Sequence, residues 1–200
     1  MLMKAKAESA VVWQSGWLSS AQRLDSPNFS ARPLQAVIDL VVVHSISLPP
    51  GMYGGGQVQQ LFTNRLDRHA HPYFETIHGM EVSSHFYIER NGKLWQFVSG
   101  DDRAWHAGQS SYMGRSNCND YSVGIELEGL EGQLFESAQY ECLGALCQQL
   151  RTRYPILHVI GHEHIAPGRK FDPGAGFDWQ HLQKTVGWAR QCFPMLPILK

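Results

Sequence analysis

The sequence has no long hydrophobic run, no surplus of charge of either sign and no closely spaced cysteine pair. No apolar stretch approaches the roughly 20 residues that a membrane-spanning helix requires. The 17 Lys and Arg residues against 18 Asp and Glu give a formal charge of -1, whereas nucleic-acid-binding proteins usually show a basic excess. The four cysteines, at positions 118, 142, 147 and 192, form no CxxC pair. These absences argue against a membrane protein, a general nucleic-acid binder and a disulfide-bonded scaffold.

The start of the chain also lacks the pattern of a secretory signal. Glu8 and Ser9 interrupt its apolar part, and the run over residues 10–13 is far below the ~7–15 apolar residues that a signal peptide needs. We therefore interpret residues 1–15 as a ragged N-terminus. We expect a cytoplasmic protein in which the cysteines stay reduced.

The chain does contain enough apolar sequence for one folded domain. Its 200 residues are 43% hydrophobic and 18% charged, which suits a globular protein with a sizeable core. No internal repeat or low-complexity segment divides it. We expect a single domain over residues 1–200.

Apolar, β-branched runs alternate with helical patterns along the chain. The sequence predicts strands over residues 37–43, 84–89, 94–98, 121–127 and 154–160. It predicts helices over 57–64 and 137–154 and after Asp178, with Ser137 and Asp178 as caps. Asn91-Gly92 is typical of a two-residue hairpin turn. Together these elements predict an α/β fold, a mixed β-sheet flanked by helices in three layers.

The stretch over residues 160–179 carries the densest set of polar side chains. His162, Glu163, His164, Lys170 and Asp172 follow a predicted strand and lie among prolines and glycines. Loops on rigid scaffolds often carry functional sites, and imidazole and carboxylate are common zinc ligands. The alternative is a chance cluster, because the chain has ten histidines. A zinc site here needs a third ligand from elsewhere.

His44 is the candidate third ligand. It ends the predicted strand over 37–43, as His162 ends the strand over 154–160. If these two strands are parallel neighbours, both histidines emerge at one edge of the sheet. With Asp172 they make a three-ligand site with an open position, which is typical of catalytic zinc. The alternative is a histidine that is merely satisfied at a strand end.

A zinc hydrolase also needs a base, and the segment GIELEG offers Glu126 and Glu128. A carboxylate in an apolar strand is costly to bury unless it is paired or functional. The pattern leaves the choice between them open, and either can be an ordinary solvent-facing residue. Lys170 is a candidate cation for an oxyanion, with a plain surface lysine as the alternative.

These residues lie in a series of motifs that resembles a known family. In chain order the motifs are VVVHSISLPPG, LFTNRLD, AHPYF, VSSHFYIERNG, RAWHAGQSSYMGR, CNDYSVGIELEG and GHEHIAPGRKFDPGAGFDW. The chain resembles the zinc-dependent type 2 N-acetylmuramoyl-L-alanine amidases, which share their fold with peptidoglycan-recognition proteins. It is most similar to their cytoplasmic branch, which acts on 1,6-anhydro-N-acetylmuramyl peptides in cell-wall recycling.

The resemblance implies a role for each candidate residue. It assigns the zinc ligands to His44, His162 and Asp172 and the general base to Glu126, and it leaves Glu128 structural. It assigns Lys170 to the transition state and places Trp105 as a weaker candidate for a substrate contact.

The resemblance also implies a substrate and a setting. The substrate is a small muropeptide, Zn²⁺ is the cofactor, and neither nucleic acid nor a membrane is a partner; protein partners stay unknown. The family's pathway implies an effect on β-lactamase induction. Two rivals remain, a metal-free peptidoglycan-binding module and a secreted autolysin.

The chain departs from the family pattern near the predicted site. Ser45 stands where an Asn is usual, His164 where an Asp is frequent, and Phe171 where a small polar residue is usual. Glu81 and Asn117 stand where arginines are expected near the carboxylates of the peptide. These departures leave open how the acidic end of the peptide is held.

Overall fold

The computed structural model describes residues 12–194 of the chain. In chain order its strands and helices are β1 (Trp13–Gln14), β2 (Trp17–Leu18), β3 (Gln22–Arg23), β4 (Phe29–Ser30), β5 (Leu40–Ile46), α1 (Gln57–Phe62), α2 (Pro72–Thr76), β6 (Phe86–Ile88), β7 (Leu94–Gln96), β8 (Arg103–Ala104), β9 (Ser111–Tyr112), β10 (Arg115–Ser116), β11 (Ser122–Glu128), α3 (Ser137–Arg153), β12 (His158–Gly161), α4 (His162–Ile165) and α5 (Trp179–Val186). A short 3₁₀ helix over Cys118–Asp120 precedes β11.

A six-stranded mixed sheet with the order β12-β5-β11-β6-β7-β3 forms the centre of the fold. Strands β12, β5, β11 and β6 are parallel, β7 runs antiparallel to β6, and β3 is parallel to β7. The longest strands lie in the middle and are apolar, as strands covered on both faces usually are. The predicted mixed sheet flanked by helices is therefore confirmed.

Alternate residues of β5 point to opposite layers because side chains alternate along a strand. Val41 and Val43 join the core beneath α3 and α5, with Leu143 and Leu182. Leu40 and Val42 point to the other face, toward Ile160. On that second face, farther along the sheet, α1 and α2 pack in a separate core that includes Phe62, Phe74 and Tyr87.

The boundaries of β5 differ from the prediction. The strand spans Leu40–Ile46 rather than 37–43, so His44 lies inside it. Ser45 and Ile46 stay paired with Leu127 and Glu128 of β11, whereas Val37 is 56% exposed and outside the sheet. Val37 is β-branched, but the pairing of β11 with β5 begins only at Ser122 and Leu40. Residue 37 therefore has no partner in β11.

The predicted hairpin joins β6 to β7, but its connection is longer than two residues. The Glu89 N–H donates to the Lys93 carbonyl at 3.0 Å, and the Gly92 N–H donates to the Glu89 carbonyl at 2.8 Å. Only Gly92 adopts a positive φ, of 84°, whereas a two-residue type I′ turn needs positive φ at both central positions. The loop is therefore a three-residue one that ends in a left-handed glycine.

The helix caps follow the sequence in one case and shift by one residue in the other. The Asp178 side chain accepts from the His181 N–H at the start of α5, as predicted. Helix α3 is capped by Glu136 and not by Ser137. Gln139 Oε1 accepts from the Glu136 N–H at 3.0 Å, which satisfies a backbone donor at the start of the helix.

The predicted ragged start concerns residues 1–15, and residues 1–11 lie outside the described residues. Within the described part, Trp13 and Gln14 form β1. The Trp13 ring packs edge-on against Phe86 and Tyr154. Over residues 12–194, no helix has both the length and the apolar character needed to cross a membrane.

Glu128, at the end of β11, joins two loops to the sheet. Its Oε1 accepts from the Gly54 N–H at 2.6 Å and its Oε2 from the Arg90 N–H at 3.1 Å. The residue is 5% exposed, so its loss leaves two N–H groups without their acceptor.

We predict that Glu128→Ala lowers the free energy of unfolding by roughly 1–3 kcal/mol, the cost of unsatisfied buried donors. Urea unfolding monitored by circular dichroism measures this. The exposed Glu141→Ala in α3 is the matched control and should change it by less than about 0.5 kcal/mol. Equal effects of the two substitutions would contradict the anchoring role.

Candidate metal centre and catalytic cleft

The register of three parallel strands aligns the polar side chains of the site. Glu126 of β11 pairs with His44 of β5, and Gly161 of β12 pairs with Val43. His162 follows Gly161 as the first residue of α4. His162, His44 and Glu126 therefore stand in a row across neighbouring strands, at the edge where parallel strands end and where α/β proteins usually bind ligands.

Three ligand atoms of the predicted metal-binding residues converge in the structure. His44 Nδ1 lies 2.9 Å from His162 Nδ1 and 3.2 Å from Asp172 Oδ2. His162 Nδ1 also lies 3.2 Å from Asp172 Oδ2. A tetrahedral zinc ion with bonds of about 2.1 Å separates its ligands by about 3.4 Å. The three side chains thus form a group that could hold a metal ion.

Asp172 reaches the two histidines because the loop after α4 folds back on the helix. The Glu163 N–H donates to the Asp172 carbonyl at 2.9 Å, so the backbone of residue 172 lies beside the first turn of α4. Burial alone would raise the pKa of Asp172, but the adjacent His162 and His44 hold it well below the usual value. The carboxylate is therefore ionised, as metal ligation requires.

Both histidines are buried, with Nδ1 facing the convergence point. Burial lowers the pKa of His44 to about 4, and the adjacent His162 adds to the effect. His162 Nε2 lies 3.1 Å from the Ala107 carbonyl. A carbonyl only accepts, so His162 carries its proton on Nε2 and its Nδ1 is a bare acceptor. His44 Nε2 lies 2.9 Å from His106 Nδ1.

Glu126 faces the same cleft with an unpartnered oxygen. Its side chain is partly covered, and within the described part of the chain the shielded Oε2 has no hydrogen-bond partner. Burial raises the pKa of Glu126 well above the ordinary carboxyl value; Asp172 raises it further and Lys170 opposes the rise. Glu128 on the same face is instead satisfied by two backbone N–H groups. The contacts thus distinguish the two carboxylates that spacing left equivalent.

An open cleft of about 360 Å³ runs past these residues. His44, His162, Asp172, Glu126, Lys170 and Trp105 all line it. Trp105 is held in its wall, where its Nε1 donates to Ser30 Oγ at 3.3 Å. Phe171 stands at the rim with 61% of its surface exposed. The structure brings every site residue predicted from the sequence to one cleft.

His164, the nearest alternative ligand in the loop, has a different environment. Its Nδ1 accepts from the Gly161 N–H at 3.0 Å, and its ring packs edge-on against Trp179. It is not part of the converging group. The side chain therefore caps the first turn of α4.

Sequence reasoning missed the groups that orient the two histidines. His106 contacts His44, and the Ala107 carbonyl accepts from both His162 and Arg169. Asn119 Oδ1 accepts from the N–H groups of residues 106 and 107, at 3.2 Å and 2.8 Å. The polar sequence around Trp105 and His106 was the only available signal, and it does not specify a partner.

The sequence matches the N-acetylmuramoyl-L-alanine amidase family over residues 34–175. It is 49% identical over 173 residues to the 1,6-anhydro-N-acetylmuramyl-L-alanine amidase AmpD of Citrobacter freundii. The alignment covers 86% of this chain and 92% of that protein.

Two solved structures extend the comparison. A crystal structure of a selenomethionine AmpD derivative superimposes with a TM-score of 0.85 at 48% identity, covering 88% of this chain and 99% of that one. Escherichia coli AmiD in complex with anhydro-N-acetylmuramic acid-L-Ala-D-γ-Glu-L-Lys superimposes with a TM-score of 0.55 at 30% identity, covering 88% and 65%. The amidase fold expected from the resemblance is confirmed.

We predict that acid destabilises the metal-free protein, because several of its histidines have a lowered pKa. Burial lowers the pKa of His44, His85 and His106, while unfolded histidine titrates near ~6.5. The unfolded state thus binds more protons below that pH, and the free energy of unfolding should fall as the pH drops from about 6.5 toward 4. Urea unfolding in the presence of a chelator measures this. A flat profile over that range would contradict it.

Glu126 supplies an internal control for this profile. Its raised pKa means that the folded state binds the extra proton, so its contribution to stability is present below about pH 4.3 and lost as the pH rises through the folded pKa. This opposes the histidines. Glu126→Gln removes the opposing contribution, and the variant should therefore show the steeper gain of stability from pH 5 to 7.

Proposed function

Because the chain belongs to the N-acetylmuramoyl-L-alanine amidase family, we propose that it is a zinc enzyme of muropeptide hydrolysis. The reaction cleaves the amide between the lactyl carboxyl group of anhydro-N-acetylmuramic acid and L-Ala of the stem peptide. The observation that carries the proposal is the convergence of His44 Nδ1, His162 Nδ1 and Asp172 Oδ2 beside the unpartnered oxygen of Glu126.

The chemistry of the donor set fits zinc. Two imidazoles and one carboxylate match the nitrogen and oxygen ligands that zinc takes, and a set of three protein ligands is typical of catalytic zinc. When bound, zinc supplies a Lewis acid that polarises a carbonyl oxygen and lowers the pKa of water. His44, His162 and Asp172 are the residues that would hold it.

Glu126 is the proposed general base. Its Oε2 is shielded and unpartnered, and burial raises its pKa above the ordinary carboxyl value, which strengthens the carboxylate as a proton acceptor. Glu126 takes the proton from the attacking water and returns it to the departing nitrogen of L-Ala. These two proton transfers require one side chain that reaches both the water oxygen and the departing nitrogen.

Lys170 is the proposed electrostatic partner of the developing oxyanion. It lines the same cleft two residues before Asp172. An ammonium group here stabilises the negative charge that builds on the carbonyl oxygen, and such preorganised groups act strongly where water is excluded. Trp105 offers an apolar face on the wall for the sugar or the peptide.

The substrate class follows from the relatives. The similar AmpD proteins are named as amidases of 1,6-anhydro-N-acetylmuramyl-L-alanine, and the AmiD structure holds an anhydro-muramyl tripeptide. The cleft of about 360 Å³ has room for part of such a ligand. We propose that the reaction belongs to cytoplasmic cell-wall recycling, and immunodetection of the protein in cell fractions tests this location. An effect on β-lactamase induction stays a prediction.

We predict that substitutions separate metal binding from turnover. Asp172→Ala should lower zinc affinity because it removes a ligand. Lys170→Ala should retain zinc and lose roughly 10²–10³-fold in kcat, the usual effect of removing one oxyanion stabiliser. Glu126→Ala should also retain zinc and lose roughly 10²–10⁴-fold, as expected for a general base. Chelator competition and steady-state kinetics measure the two properties.

Near wild-type turnover by Glu126→Ala would contradict its assignment as the base. His164→Ala is the control for the ligand set, because it lies in the same loop outside the converging group. Loss of zinc by this control, with full zinc retained by Asp172→Ala, would contradict the ligand assignment.

The reaction itself is tested by mass spectrometry of products from a soluble anhydro-muropeptide. We expect anhydro-N-acetylmuramic acid and the free stem peptide, with no product after chelation and recovery after zinc is added. Intact sacculi as substrate should yield little by comparison. A purified protein that binds peptidoglycan fragments without cleaving them, and without metal, would contradict the proposal.

A further inference from the structure

His106 is a half-buried histidine in the wall of the cleft that the proposed reaction does not use. It sits between two other imidazoles, with its ring centroid 5.1 Å from that of His44 and 5.6 Å from that of His85. Its Nδ1 faces His44 Nε2 at 2.9 Å and its Nε2 faces Ser122 Oγ at 3.2 Å. The side chain thus connects a proposed metal ligand to the base of β11.

These contacts form a series of hydrogen bonds from His44 through His106 and Ser122 to the Cys118 carbonyl. The Cys118 carbonyl fixes the direction of each of them. Ser122 Oγ lies 2.6 Å from the Cys118 carbonyl, and a carbonyl oxygen only accepts. The Ser122 hydroxyl therefore donates to Cys118 and accepts from His106 Nε2–H. A neutral His106 with its proton on Nε2 has a bare Nδ1, which accepts from His44 Nε2–H.

The consequence reaches the metal centre. Neutral imidazole carries one proton, so a proton on His44 Nε2 leaves its Nδ1 bare. Nδ1 is the atom that meets His162 Nδ1 and Asp172 Oδ2. In the other tautomer a proton would occupy the ligand position itself. Partners on the distal nitrogen of a ligating histidine usually set this choice.

Strand β11 leaves space for the His106 ring. Gly124 of β11 lies directly beneath it, and a Cβ on residue 124 would come within 2.4 Å of His106 Cγ. Asn119 Oδ1 accepts from the backbone N–H of His106 at 3.2 Å and so fixes the main chain that carries the ring. The close approach requires a residue without a side chain at position 124, so the ring position depends on two separate elements.

We propose that His106 is a positioning residue which, through Ser122, keeps the proton of His44 on Nε2 and its Nδ1 free to bind metal. The proposal rests on the proposed function in that His44 is a zinc ligand. It assigns His106 no contact with substrate. Gly124 and Ser122 take part in this positioning. Gly124 leaves room for the His106 ring, and Ser122 orients it.

Two substitutions at position 106 separate the acceptor from the ring. His106→Asn can place its Oδ1 where Nδ1 stands and accept from His44, whereas His106→Leu fills the space without an acceptor. We expect His106→Leu to weaken zinc binding about 10- to 100-fold, the usual effect of losing an outer partner of a ligand. His106→Asn should recover most of that affinity.

The tautomer of His44 is read directly by long-range ¹H–¹⁵N NMR on metal-free protein labelled with ¹⁵N-histidine, with the His44→Gln variant used for assignment. In the wild type, the proton should be on His44 Nε2. In His106→Leu, the His44 signals should shift toward the tautomer protonated on Nδ1. Ser122→Ala, a milder change, should give a shift in the same direction, and this arm stays informative if His106→Leu does not fold.

Leu150→Ala is the control for loss of stability alone, because Leu150 is a fully buried residue of α3 that packs in the core on the opposite face of the sheet. It should destabilise the fold and leave zinc affinity unchanged. Wild-type zinc affinity and an unchanged His44 tautomer in both His106→Leu and Ser122→Ala would overturn the proposal. If the wild type bound no zinc, the proposed function would fail, while the tautomer measurement would still decide the role of His106.

Discussion

The in-register pairing of three parallel strands is the constraint on which the site depends. Because β12, β5 and β11 are neighbours in register, His162, His44 and Glu126 stand side by side at one end of the sheet. A shift of one residue in any strand would turn its side chain to the opposite face. The apolar residues that alternate with these polar groups hold the register, since Val43 and Ile125 are fully buried.

The site places polar groups where a folded protein would gain more from apolar ones. Asp172 and Glu126 bring two carboxyl groups to one cleft, and Glu126 Oε2 has no partner within the described part of the chain. Buried polar groups without partners oppose folding. The two hydrophobic cores on either side of the sheet offset this cost. Such local conflict with stability is expected where residues are arranged for catalysis.

Much of this arrangement could be predicted from the sequence because its signals are local. His44 and His162 each adjoin a β-branched run, and Asp172 lies in a Pro/Gly loop close to His162 in sequence. The choice between Glu126 and Glu128 was not local, since both face the same side. Contacts from Gly54 and Arg90, distant in sequence, distinguish them. His106 and Asn119 were missed for the same reason, as their roles exist only once loops meet across the sheet.

X-ray absorption spectroscopy at the zinc edge tests the central claim most directly, because it reports the atoms around the metal. We expect only nitrogen and oxygen scatterers at about 2.0–2.1 Å, with the outer-shell pattern of two imidazoles. The protein should hold one zinc ion in this environment. A sulfur scatterer near about 2.3 Å, or the signal of a single imidazole, would contradict the convergence of His44, His162 and Asp172 on one metal.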